Sequence, residues 1–581
     1  MKPGSYTDRY TPEDIRAYRA AGLWSDQTMF DLISRQADSR PDKVFATDGV
    51  RSLTYRELYD SALRLAAGFH ARGWRAGDTV AVQLPNWVEF IEVVAALSRL
   101  GIVTVPIMPI YRHDEVSYVI GHAEARAVIA PSRFKGHDYL GMYRDVRTDH
   151  PGLDVLIVRP DAASLQAADA TGSGVDTLDS VRAEHVPAEA DLPPQPSADD
   201  PFLIVYTSGT TSRPKGCVHT FNTYCSGARS LTHAFGYTEA DVQFGPSPIT
   251  HTTGLVTSVL LPLLNGAATH VMAEWEPVRG AAEIAEFGCT QAVTATTFLQ
   301  MLLEAFDPAR DDLSSLRLWV CAGAPIPRAV VERAHDTLPH LKVLSLYGRS
   351  ENLMSTTCTV TDDTSRALNS DGSALEGHQV AIVDEEGREV PRGSEGDIAY
   401  RGPSHMIGYL GDPEETHALF TPDGFSRSGD LGVMDADGFV RVTGRLKDII
   451  IRGGMNISAR ELEEHLVAHP ALSDSAVVGY PDDRLGERVA VFVVARGGHP
   501  EPTVEEVRDY LTGHGVAIQK TIERQVRLTD QQEKFRDAGP FGRLFAFAYD
   551  FDPQLASRAW GDFEPAAPLT AEGAASAGAG L

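Results

Sequence analysis

Phe202-Leu203-Ile204-Val205-Tyr206-Thr207-Ser208-Gly209-Thr210-Thr211-Ser212-Arg213-Pro214-Lys215-Gly216 decides how the rest of the chain is read. Its opening run is short, apolar and β-branched, which predicts a buried strand. Hydroxyl and glycine positions follow, Pro-Lys-Gly closes them, and Val218-His219-Thr220 then predicts the start of a helix. Small residues after a strand expose backbone N–H groups and hydroxyls, and Lys215 adds a positive charge. Together they predict a cradle for phosphate oxygens. It is not the P-loop of nucleotide kinases, because Lys215 follows Pro214 and no Ser or Thr comes after it to open a helix. A flexible Ser/Thr/Gly linker is the plain alternative, and it fits poorly with a buried strand before it and a fixed Pro-Lys-Gly after it.

The surrounding composition is that of a globular protein of more than one domain. The chain has 581 residues, 43% of them hydrophobic and 23% charged. A formal charge of −28 argues against wrapping nucleic acid or docking on an anionic membrane. Cys217, Cys225, Cys289, Cys321 and Cys358 show no Cys-x-x-Cys spacing, so they read as buried apolar residues in a reducing compartment. The first residues lack the pattern of a signal peptide, and the apolar run Leu255 to Leu264 is too short and broken to span a bilayer. A cytoplasmic protein is expected.

Taken in order, residues 9–40 predict a helical, polar lead-in. Thr54 predicts an N-cap with Glu57 completing a capping box, and Leu58, Ala62, Leu65 and Ala66 keep helical spacing behind it. Val80 to Leu84, Ile102 to Pro106, Ala127 to Ala130 and Asp154 to Val158 predict strands, with a helix from Val88 to Leu97 among them. Continuous apolar strands alternating with helices predict parallel sheets covered on both faces. Residues 159–200, rich in Ala, Asp, Ser and Pro, predict a long surface connector. Asp384-Glu385-Glu386-Gly387 and Asp435-Ala436-Asp437-Gly438 predict tight turns between short strands. Farther on, helices are predicted over Ala459 to His469 and Thr503 to His514, with strands at Ala476 to Gly479 and Ala490 to Ala495. After Thr529 the pattern dissolves.

Tyr206 to Gly216 resembles the signature loop of the adenylate-forming superfamily, which includes acyl-CoA synthetases, adenylation domains of peptide synthetases and luciferases. Only Ser212 departs from the pattern, standing where the family has glycine. The resemblance extends from about Trp24 to about Arg524 and is closest to the carboxylate–CoA ligases. It implies an α/β fold: a large N-terminal domain over 1–443, with a β-rich subdomain from about 361 to 443, then a hinge over 444–448 with Lys447 as pivot. A small mobile α+β domain over 449–534 and a divergent, flexible tail over 535–581 follow.

The same resemblance implies a chemistry. A carboxylate attacks the α-phosphorus of ATP and expels pyrophosphate, so two anions must be brought together by positive charge and oriented donors. Lys215, the loop amides around Gly209 and the hydroxyls of Thr207, Ser208, Thr210 and Thr211 would hold the β- and γ-phosphates. Tyr347-Gly348-Arg349-Ser350-Glu351 matches the family's aromatic-Gly-x-Thr-Glu; it implies Tyr347 on adenine and Glu351, with Thr210, on Mg²⁺. Gly323-Ala324-Pro325 would form the other wall of the adenine slot, and Asp430 with Arg445 would grip the ribose hydroxyls. His251 falls where the family places a group beside the acyl carboxylate, with a purely structural histidine as the alternative. Asn222, Tyr224, Thr296 and Phe298 would line the acid pocket, and Gly453-Gly454 the path of CoA.

Two positions depart from that pattern. The family's C-terminal lysine should fall near Ala538, and Lys534 and Arg536 are the nearest cations. Arg349 stands where a small or apolar residue is usual; it suits a compact anion or a second charged group on the substrate, unless it turns away to pair with a surface acid. The expected function is therefore ATP- and Mg²⁺-dependent activation of a small aromatic or alicyclic acid, followed by thioester formation with CoA. Two alternatives stay open: activation of nitrite, a small oxyanion, for diazotisation of an aromatic amine, and a non-catalytic nucleotide-binding homologue. Neither nucleic acid nor membrane is an expected partner, and monomer or homodimer is left undecided.

Overall fold

The Phe202 run is a strand, Pro201–Tyr206, but the segment after the loop is a strand too. Gly216–Thr220 runs antiparallel to it, pairing Tyr206 with Gly216 and Ile204 with Val218. The predicted helix start is therefore corrected: Val218-His219-Thr220 is extended, and the helix Phe221–Ala234 begins only after Thr220, which caps it. All five residues of the strand are buried, which favours ladder pairing over an exposed helical turn. The loop thus closes a β-hairpin and does not feed a helix N-terminus.

The computed structural model describes residues 9–161, 176–184, 191–207, 214–323, 326–446, 449–452, 455–482, 486–496, 499–500, 502–514, 516, 522 and 524–527. They fall into two compact units, the first running to Val442 apart from Gly429–Leu431, the second made of Gly429–Leu431 and the residues from Thr443.

In the first unit the hairpin belongs to an eight-stranded sheet. Its order is Gly408–Tyr409, Gly216–Thr220, Pro201–Tyr206, Val103–Pro106, Thr79–Val82, Ala127–Pro131, Asp154–Val158 and Asp176–Thr177. From Pro201–Tyr206 onward every pairing is parallel, as the apolar alternation predicts. A nine-stranded sheet has a parallel centre: Lys342–Tyr347, Leu318–Ala322, Gln291–Thr294, Val242–Gly245, Ala268–Val271 and Val44–Thr47. One hydrophobic core joins Val80, Val82 and Ile129 of the first sheet to Val293, Val320 and Leu344 of the second.

Two helices fill that core. Tyr55–Ala71 starts at the predicted capping box, with Thr54 Oγ1 accepting from Glu57 N at 3.1 Å and Glu57 Oε2 accepting from Thr54 N at 2.8 Å. Val88–Leu100 is buried along its whole length and outlasts the prediction by three residues, until Gly101 supplies the left-handed cap at φ +69°.

Two expectations for the connecting segments are revised. Within residues 9–40, Pro12–Ala20 has no buried residue, but Met29–Ser39 buries Met29, Phe30, Leu32 and Ile33, a helical stripe hidden among charged neighbours. The connector over 159–200 contains the strand Asp176–Thr177 and the helix Leu178–Glu184, whose Leu178 and Val181 belong to the core.

A four-stranded sheet follows in the order Gln379–Val383, Glu395–Arg401, Ser426–Met434, Val440–Arg445. Both predicted turns are present. Gly387 N donates to Asp384 O at 3.0 Å and Gly438 N to Asp435 O at 3.2 Å. Beside this sheet His378 is buried, its Nε2 2.7 Å from Ser404 Oγ and its Nδ1 3.1 Å from Glu376 O. Desolvation takes its imidazole from 6.5 down to about 4, against the raising effect of the adjacent backbone. Such a histidine binds a proton more readily once the chain unfolds, so its contribution is complete above about pH 6.5 and is lost as pH falls toward 4. The loss is roughly 3 kcal/mol at the acid end. Melting curves across that range should show Tm falling with pH, and His378→Gln should make the slope shallower whatever it does to Tm itself. An unchanged slope would refute this.

In the second unit, Met455–Ser458, Ile449–Arg452, Gly486–Ala495 and Leu472–Asp482 form a sheet, with Arg524–Arg527 parallel to Gly486–Ala495. Helices Ala459–Leu466 and Val504–Gly513 contribute Leu462, Leu466, Val507 and Leu511 to its core, beside Val489, Val491 and Ile522. Among the described residues no helix is long and apolar enough to cross a membrane.

Candidate active site

The hairpin loop is tied at both stems. Thr207 N donates to Lys215 O at 2.9 Å, which closes the ladder one step beyond Tyr206 and Gly216. Tyr206 OH lies 2.8 Å from His122 Nδ1, and Tyr118 OH donates to Pro214 O at 3.0 Å. Both partners stand on one helix, His113–His122, so a single rigid element fixes the loop's two ends. Ser208, Gly209, Thr210 and Thr211 lie outside the described residues, as do Ala324, Pro325, Lys447, Gly453, Gly454, Lys534, Arg536 and Ala538. Lys215 itself is one-third exposed. Its Nζ is 2.6 Å from Glu415 Oε2 and 5.1 Å from the centre of the Tyr409 ring.

Tyr347-Gly348-Arg349-Ser350-Glu351 leaves the strand Lys342–Tyr347 and folds into a tight reversal, closed by Ser355 N donating to Tyr347 O at 2.9 Å. Gly348 is required there, since a Cβ would stand 1.8 Å from the Leu353 carbonyl oxygen. The reversal buries Glu351. Its Oε1 accepts from Arg349 Nη2 at 3.0 Å and from Tyr409 OH at 2.7 Å. Burial alone would raise this carboxyl, but the Arg349 charge and the Tyr409 hydrogen bond outweigh it and hold the group below its ordinary 4.5. It is a buried carboxylate, ionised at neutral pH. His219 Nε2 approaches Ser350 O at 2.8 Å, so Nε2 carries the proton, and burial takes this imidazole down to about 4.

Arg349 is accordingly engaged inside the protein. Besides Glu351 it donates to Arg427 O at 2.9 Å. The surface acid imagined as its alternative partner is in fact the buried carboxylate two residues on, and the image of an open cation awaiting a small oxyanion loses its support. Tyr347 is half-buried, its hydroxyl 3.3 Å from that of Tyr400, and Gly323 ends the strand Leu318–Ala322 at φ +82°. In the second unit Arg445 Nε donates to Asp430 Oδ1 at 3.0 Å.

The residues expected around the acid divide into two groups. Asn222 is spent elsewhere: it donates to Ser25 O at 2.8 Å and Asp199 Oδ1 at 2.7 Å and accepts from Ser25 N at 2.8 Å. It fastens the segment after Trp24 to the helix Phe221–Ala234. Tyr224 and Thr296 are buried, the Tyr224 hydroxyl beside that of Thr252 and the Thr296 hydroxyl beside the Cys321 thiol, while the buried Thr250 hydroxyl has no hydrogen-bond partner among the described residues. Phe298 tilts against Trp275 at 5.2 Å between ring centres. His251 caps the short helix Thr252–Leu255, its Nδ1 accepting from Thr253 N at 3.4 Å, and desolvation pulls it to about 4.

Tyr409 and Glu415 were not anticipated. Tyr409 reaches the site because Gly408–Tyr409 pairs with the outer strand of the hairpin, Cys217 opposite Tyr409 and Val218 opposite Gly408. Nothing in the sequence joins position 409 to 351 or 215; only the register does. Asp412-Pro413-Glu414-Glu415 carries a legible helix start, with Asp412 as N-cap, and that start sets Glu415 against Lys215.

Lys215 and the buried Glu351 carboxylate thus meet at one tyrosine, Tyr409. The chain belongs to the AMP-binding enzyme family, which it matches over residues 33–410, and residues 461–537 match that family's C-terminal domain. It is thereby an ATP-dependent, adenylate-forming ligase of the acid–CoA type, acting on a small-molecule carboxylate. The medium-chain fatty-acid–CoA ligase of Escherichia coli is 33% identical over 517 residues, 88% of each chain. The 2,3-dihydroxybenzoate-AMP ligase of Bacillus subtilis is 32% identical over 519 residues, 88% of this chain and 92% of that one. The ATP-bound structure of MatB from Rhodopseudomonas palustris superposes with a TM-score of 0.73 at 28% identity, covering 89% and 99% of the two chains. Residues 506–581 also match a family of proteins of unknown function, so the change of composition after Thr529 falls within a second likeness.

Proposed function

We propose that this enzyme activates a small aromatic or alicyclic carboxylate as its acyl-adenylate and then transfers the acyl group to CoA. The observation that carries the nucleotide half is the convergence of Lys215 and Glu351 on Tyr409. Lys215 and the loop donors would take the β- and γ-phosphates, moving charge from the attacked phosphorus toward the leaving pyrophosphate. Glu351 fits a hard cation: it is an ionised oxygen donor, and the hydrogen bonds from Arg349 and Tyr409 both end on Oε1 and not on Oε2. With Thr210 it would hold Mg²⁺, which supplies charge neutralisation between phosphate oxygens.

The buried hydroxyls of Tyr224, Thr252 and Thr296 support an acid with hydrogen-bonding substituents over a plain alkyl chain, because a polar lining costs less free energy when the substrate can hydrogen-bond to it. His251, Tyr224, Thr296 and Phe298 would surround that acid. Tyr347 with Gly323 would bound the adenine and Asp430 with Arg445 the ribose, while a pivot at Lys447 would present Gly453 and Gly454 to CoA. A panel assay of AMP release tests the reading, with aromatic, alicyclic and medium-chain fatty acids, with and without CoA, and with nitrite plus an aminobenzoate. AMP should form with a substituted aromatic or alicyclic acid, and thioester should accumulate when CoA is present. AMP with fatty acids alone would refute the substrate class, and AMP only with nitrite would refute the carboxylate.

A further inference from the structure

The first unit holds one aromatic side chain that touches both charged groups of the site. Tyr409 is half-buried. Its hydroxyl donates to Glu351 Oε1 at 2.7 Å, and its ring lies 5.1 Å from Lys215 Nζ, within reach of a cation–π contact. We propose that Tyr409 is a positioning residue for the nucleotide, setting the Glu351 carboxylate with its hydroxyl and guiding the Lys215 ammonium with its ring. The proposal rests on the nucleotide reading above.

Two features argue for it. Tyr409 and Arg349 donate to the same oxygen, so the carboxylate's rotation is fixed and Oε2 faces neither of them. The ring's place is set by backbone pairing with the loop's own outer strand, and the neighbouring Met406 N donates to Glu351 O at 2.8 Å. The strand that ends the phosphate loop and the reversal that carries the carboxylate are thus referred to one short segment. When Lys215 leaves Glu415 for a phosphate, the ring still borders its path.

The test is calorimetric titration of the full chain with ATP in EDTA and with ATP plus Mg²⁺, alongside melting curves and the Mg²⁺ dependence of AMP formation. Tyr409→Phe keeps the ring and removes only the hydroxyl. Its affinity for ATP in EDTA should stay within about twofold of the parent, while the gain from Mg²⁺ should shrink about tenfold, as expected for loss of a hydrogen bond to a charged group. Tyr409→Leu should in addition weaken ATP in EDTA about threefold or more. In a Glu351→Gln background Tyr409→Phe should change nothing further. A parent-like Mg²⁺ gain in Tyr409→Phe, or additive losses in the double variant, would overturn the proposal. Unfolding of Tyr409→Phe would overturn it equally, by making the hydroxyl a structural tie. A parent protein that binds no ATP, or draws no gain from Mg²⁺, would instead bring down the nucleotide reading and this proposal with it.

Discussion

Lys215→Ala lowers AMP formation at least about a hundredfold and leaves the melting temperature within a few degrees of the parent. The two halves of this expectation have separate causes. Removing a fixed positive donor from a site where phosphate charge is moving costs about 2.7–4 kcal/mol of transition-state stabilisation. The fold loses little, because Lys215 is one-third exposed and its partner Glu415 more than half exposed, and pairs of that kind contribute about 0–1 kcal/mol. AMP release under saturating ATP, read beside a melting curve, checks both. Activity close to the parent's would remove Lys215 from the phosphate site.

Glu351→Gln should be comparably damaging for a different reason. The amide keeps the shape and can still accept from Arg349 and Tyr409, so the tight reversal from Tyr347 to Ser355 remains closed. What disappears is a full negative charge that the protein holds ionised in a buried place. We expect AMP formation to fall about a hundredfold or more at low Mg²⁺, with partial recovery as Mg²⁺ is raised; the recovery separates a metal-holding role from simple damage. A loss that no Mg²⁺ concentration relieves, accompanied by a large drop in Tm, would make Glu351 a structural acid.

Much of this architecture can be read from the sequence, and particular residues show where reading stops. Thr54 and Glu57 declare a helix because the capping box is local, three residues apart. The parallel strands declare themselves because a strand buried on both faces must be apolar throughout. Val218-His219-Thr220 misleads, since a buried strand and a helix start share β-branched and capping residues, and only the pairing with Ile204 and Leu203 separates them. Met29–Ser39 misleads in the opposite direction, as its apolar stripe is diluted by charged positions facing solvent. The motif residues Lys215 and Glu351 stand out by their neighbours in sequence. Tyr409 and Glu415 do not, because their relevance is a matter of register across the sheet and of distances of 58 and 200 positions along the chain.

The pair between Lys215 and Glu415 bears on how firmly such an enzyme should hold its nucleotide. On the proposed reading an arriving phosphate does not meet a bare ammonium; it displaces a carboxylate already in place at 2.6 Å. The number of ion pairs at that lysine is therefore the same before and after, and binding is an exchange. Strength is withheld from the resting complex, where a firm grip does nothing for the rate of the chemical step, and remains available as charge builds on the departing pyrophosphate. The same exchange, run backward, returns the lysine to Glu415 and eases the product out.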